Sequence, residues 1–149
     1  MDKPFQRKGA KNNAEVGRIF ESHVRRFFAT TGLRLESNVL VDIGVNGKKG
    51  HRFDLGCSEP KVLIECKSHT WTEGGNVPSA KITTRDQAMY FFLAAPMGYR
   101  KIFVVARNYC GKRNQTLAEY YLRTNSHLIP HDVELWEYDE GEESAKQLR

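Results

Sequence analysis

Apolar residues recur at three- and four-residue steps after Asn13: Val16, Ile19, Phe20, Val24 and Phe27. That period belongs to a helix, and Gly32 supplies a C-terminal cap. Downstream the pattern changes to extended stretches at 35–43, 52–57 and 62–67, separated by turns at 44–50 and 58–60. Three strands joined by tight turns read as an antiparallel meander. Residues 68–82 carry Gly74, Gly75 and Pro78 and predict no regular element. Thr84 and Gln87 then fit a capping box opening a second helix, closed by Pro96 and Gly98, with Ala88, Phe91, Phe92 and Ala95 facing inward. The run KIFVVA at 101–106 marks a strand covered on both faces. A third helix is expected at 114–123, and a last strand, at the sheet's edge, at 133–138. The fold class is thus α/β, a mixed central β-sheet flanked by helices in the order αβββαβαβ.

The 149 residues suffice for one domain with a real core, and sixteen aromatics argue for a packed globule. The expected organisation is a basic N-terminal arm at 1–12, a single domain at 13–138 and an acidic, polar tail at 139–149. Charge is unevenly spread. Seven acids and no lysine or arginine lie between Asp132 and Glu143, whereas residues 1–131 carry twenty-one lysines and arginines against eleven acids. A body this basic suits a polyanionic partner, and equally a merely solvated surface. The cysteines (Cys57, Cys66, Cys110) have no CxxC spacing, which fits a reducing, cytoplasmic setting. No apolar run is long enough to span a bilayer, so a soluble protein with no membrane partner is expected.

The chemistry concentrates between Asp54 and Lys67, DLGCSEPKVLIECK. Asp54 ends one strand, and the next carries Glu65 and Lys67 on one face with Ile64 and Cys66 on the other. An acid such as Glu65 inside an apolar strand needs compensation, because burying it unpaired costs several kcal/mol or more. A cation shared with Asp54 would serve, and so would an ion pair with Lys67 or an arginine. On the first helix Glu21 falls just off the apolar face, beside Gly17 and Phe28, from where it can lean toward Asp54.

With Asp54, Glu65-Cys66-Lys67 and the upstream Gly17-Arg18-Ile19-Phe20-Glu21, the chain resembles the PD-(D/E)XK nuclease superfamily across roughly residues 13–107. Phe53 stands where that family often has proline. The resemblance implies a restriction-endonuclease-like fold and a magnesium-dependent endodeoxyribonuclease, with manganese able to substitute. It implies Asp54, Glu65 and the Cys66 backbone carbonyl as metal ligands, Lys67 beside the attacking water, and Glu21 as the helix acid. DNA is the implied partner, and a homodimer would cut both strands. Candidate DNA contacts are Lys81, Arg85, Gln87, Lys48, Lys49 and Arg52, with Arg7, Lys8 and Lys11 on the arm and Trp71 as a base-stacking residue. Each alone also suits an ordinary surface position, and Gln87 suits the cap. The five histidines show no metal-ligand spacing, and only His69 lies close to the Glu-x-Lys strand. The alternatives are an inactive nucleic-acid-binding module of the same fold, or a Holliday-junction resolvase.

Overall fold

The computed structural model describes residues 12–149; Arg7, Lys8 and Lys11 lie outside them. The first helix, α1, runs Asn13–Thr30 and starts where the Asn12 side chain accepts the Glu15 amide at 2.8 Å. The meander follows as β1 (Glu36–Ile43), β2 (Lys49–Ser58) and β3 (Lys61–Lys67). Next come α2 (Ser79–Ala94), β4 (Arg100–Ala106), a short hairpin of β5 (Tyr109–Cys110) and β6 (Gln115–Thr116), and α3 (Leu117–Asn125). The chain finishes with β7 (Val133–Asp139) and β8 (Ser144–Gln147). One six-stranded mixed sheet, ordered β1-β2-β3-β4-β7-β8, holds the α/β fold together. Its centre is parallel (β3, β4, β7) and its flanks are antiparallel.

Alternation sorts the central strands onto two cores. Ile64, Cys66, Ile102 and Val104 pack with Phe20, Val24 and Phe28 of α1. Leu63, Phe103 and Val105 pack with Ala88, Met89 and Phe92 of α2 and Ala118 and Tyr121 of α3. Each fully buried aliphatic or aromatic side chain here contributes about 1.5–3 kcal/mol of transfer free energy. The buried stripe of α1 differs from the expected one. Phe28 is buried, whereas Ile19 is 44% exposed, so the helix is rolled toward its Glu21 side. Gly17 makes no close approach, since a Cβ there would meet nothing within 4 Å.

Three expectations need correction. The Thr84–Gln87 capping box does not form. α2 begins five residues earlier behind Pro78, and the Thr84 hydroxyl donates to the Lys81 carbonyl inside the helix. The capping box belongs instead to α3, between Thr116 and Glu119. Residues 139–149 are not a tail, because β8 pairs antiparallel with β7 and Arg149 Nη1 donates to the Pro130 carbonyl. The strand at 133–138 is therefore interior, and the polar β8 forms the edge. Serine, lysine and glutamine on an edge strand carry no apolar alternation to read, yet they suit an edge that must resist further pairing.

One irregularity positions the site. Phe53 packs on the α2 side of the sheet and Leu55, two residues on, packs on the α1 side. A regular strand would place both on one face, so β2 rolls over at Asp54. Opposite it in β1, Asn38 takes a left-handed φ of 55°, a conformation that asparagine tolerates better than most residues. Pairing of β2 with β3 stops at Leu55–Ile64, and beyond that point the strands part. Gly56 permits the tight pairing just before the split, because a Cβ there would lie 2.6 Å from the Val62 carbonyl oxygen.

Candidate active site

The opening between β2 and β3 collects side chains from both faces of the sheet. Asp54 lies at its root and accepts the Cys66 backbone N–H through Oδ2 at 2.8 Å. That bond turns the N–H of Cys66 toward β2, and on an extended strand the carbonyl of the same residue points the same way. Glu65, 5% exposed, hydrogen-bonds to Asp54, and so does Glu21 reaching over from α1. Lys67 completes the group and acts electrostatically on both glutamates. The four residues singled out in the sequence are thus neighbours in space.

The cluster carries more carboxyl groups than its one lysine can balance. Burial, then the Asp54 charge, pushes the Glu65 carboxyl up to about 9, with Lys67 pulling the other way. The same two causes raise Glu21 to about 7. Between pH 4.5 and those values both groups hold protons in the fold that the unfolded chain has released. Their contribution to stability is therefore greatest in acid and is lost as pH rises toward 9. Burial also raises the Cys66 thiol well above its ordinary value, which keeps it protonated and excludes it as a nucleophile.

Among the described residues, no three His, Cys, Asp or Glu side chains form a ready cage for a metal ion. Two carboxylates with a backbone carbonyl make a thinner donor set. It suits a hard divalent cation that keeps several waters, as magnesium does, rather than zinc. Carboxyl groups held together by shared protons are what such a cation would replace.

His51 belongs to this group and went unnoticed in the sequence. Its Nε2 lies 3.0 Å from Glu65 Oε1. Burial lowers the imidazole's pKa, so at neutral pH the contact is a hydrogen bond between uncharged groups rather than an ion pair. No spacing rule would have found it, because the pairing depends on where β2 bends.

The proposed DNA contacts divide. Lys48, Lys49, Arg52 and Gln87 are exposed, and Lys81 is partly so. Lys48 donates to the Gly44 carbonyl and Arg52 to the Asn38 carbonyl. Trp71 is not a free stacking residue. It is 5% exposed, donates Nε1–H to the Asn108 carbonyl at 3.0 Å, and packs against Tyr120 and the Arg113 guanidinium. Arg85 is fully buried, with Tyr121 facing its guanidinium at 5.8 Å and, among the described residues, no hydrogen-bond partner for any of its three nitrogens. Burial lowers its pKa to about 10, so it stays charged at neutral pH, out of reach of a phosphate.

No helix of the described chain is long and apolar enough to cross a membrane. Compared with family models, with curated proteins and with solved structures, the chain matches none.

Proposed function

We propose that this chain is a magnesium-dependent endodeoxyribonuclease of the PD-(D/E)XK type. The observation that carries the reading is the Asp54 carboxylate, tied to the Cys66 amide and hydrogen-bonded to Glu65 at the opening between β2 and β3. Asp54, Glu65 and the Cys66 carbonyl would hold magnesium, or manganese in its place. Bound there, the ion would lower the pKa of a water and neutralise charge on the phosphate. Lys67 donates to that water or to a phosphate oxygen and offsets the negative charge that develops in the transition state. Glu21, hydrogen-bonded to Asp54, orients Asp54 and accepts from a water on the α1 side. The exposed Lys48, Lys49 and Arg52 of the β1–β2 hairpin bind the DNA backbone, a contact that releases counterions. Cutting both strands calls for a homodimer, one site per strand, and the three free cysteines suit the cytoplasm.

Supercoiled plasmid tests the reading. Nicking or linearisation is expected with magnesium or manganese and not with a chelator, and it should weaken steeply with salt. Salt-sensitive DNA binding without cutting would support an inactive binding module instead.

The raised carboxyl values make a second prediction. An ion entering the site displaces the protons of Glu65 and Glu21, so affinity should climb with pH until both are ionised. Manganese is expected to bind ~10-fold more tightly per pH unit for each proton displaced, between pH 6 and about 9. Calorimetric titrations across that range check it. A pH-independent affinity would rule out Glu65 as a ligand.

A further inference from the structure

The imidazole of His51 is held more firmly than a surface histidine needs to be. It stacks on Phe91 with ring centroids 4.0 Å apart and an interplanar angle of 28°, and meets Phe53 edge-on at 4.7 Å. Two aromatic contacts from different elements, α2 and β2, leave the ring little freedom to rotate. They aim Nε2 at a single oxygen of Glu65, 3.0 Å away. The side chain of Glu65 is only 7% exposed, so solvent does little to fix its orientation.

We propose that His51 is a positioning residue that anchors Glu65 Oε1 and thereby presents Oε2 toward Asp54, where a divalent cation binds. This role rests on the metal-dependent reading of the site. Groups that hydrogen-bond a metal ligand fix its orientation, and removing them commonly weakens metal binding about 10- to 100-fold. His51 performs no chemistry here. It acts through Glu65, and Phe91 acts through it.

Two variants separate orientation from packing. His51→Phe keeps an aromatic ring between Phe91 and Phe53 but has no donor for Glu65. His51→Gln gives up the stack but keeps an amide donor of similar reach. Manganese affinity, measured by calorimetry on the full chain beside its melting temperature, is the readout. His51→Phe is expected to bind manganese about 10- to 100-fold more weakly with its melting temperature kept. His51→Gln should bind within a few-fold of wild type even if it melts earlier. Wild-type affinity in His51→Phe, or equal weakness in the two variants, overturns the positioning role while leaving the metal site standing. A wild-type protein that takes up no manganese overturns the metal reading and this role with it.

Discussion

Glu65→Gln is expected to reduce magnesium-dependent plasmid nicking by about 10³-fold or more while making the metal-free protein more stable. The two effects have one origin. Burial and the neighbouring Asp54 disfavour the Glu65 carboxylate, which is why its pKa lies near 9. At pH 8 the unfolded chain carries Glu65 ionised, while the fold must keep it protonated or bear a buried charge. Glutamine removes that conflict and can still bond to His51. A gain of about 1–3 kcal/mol at pH 8, shrinking below pH 5, is the expected size. For a chain of this length each kcal/mol raises the melting temperature by about 2–4 °C. The amide, being neutral, cannot balance a cation beside Asp54, so activity goes. Thermal melts at pH 5 and pH 8, run beside the nicking assay, check both halves. A destabilised Glu65→Gln protein, or one that cuts normally, would remove Glu65 from the metal site.

Lys67→Met is expected to lower the single-turnover rate about 10²- to 10⁴-fold with a smaller change in DNA affinity. Methionine keeps the unbranched stem and deletes only the charge, so packing at the end of β3 is spared. Lys67 also pulls the Glu21 and Glu65 values down, and its loss lets both rise. The variant should therefore need a higher pH to bind metal, and part of the missing rate should return between pH 8 and 9.5. Lys67→Arg keeps the charge but spreads it over a larger, planar group, and only weak rescue is expected. A rate deficit that tracks DNA affinity alone would make Lys67 a phosphate contact rather than a participant in the chemistry.

Much of the site was legible because strands alternate. An acid and a lysine two residues apart in VLIECK must share a face, and an acid on the preceding strand must lie near them if the turn is tight, although Asp54 stands in the middle of β2 rather than at its end. Asp54, Glu65 and Lys67 were reached in that way, and Glu21 from its place just off the apolar face of the first helix. His51 and the two misplaced DNA contacts were not. Arg85 and Trp71 carry a guanidinium and an indole that suit nucleic acid, but the sequence does not show which way the loop of Trp71 turns, and Arg85 lies at helical spacing from the inward-facing Ala88 and Phe92. Trp71 is drawn inward by Asn108, Arg113 and Tyr120, all distant along the chain. Arg85 falls on the buried face of α2, three, four and seven residues before Ala88, Met89 and Phe92.

By itself the sequence determined the α/β class, the three-strand meander, the buried parallel strand at 101–106 and the spacing of the acidic and basic groups. Those follow from periodicity, which is local. The tertiary structure decided how far α1 rolls, where β2 leaves β3, that the last eleven residues extend the sheet, and that an imidazole completes the carboxyl cluster. Each of these depends on contacts between elements far apart in the chain, and the energies that choose among them appear only when the two faces of the sheet are packed.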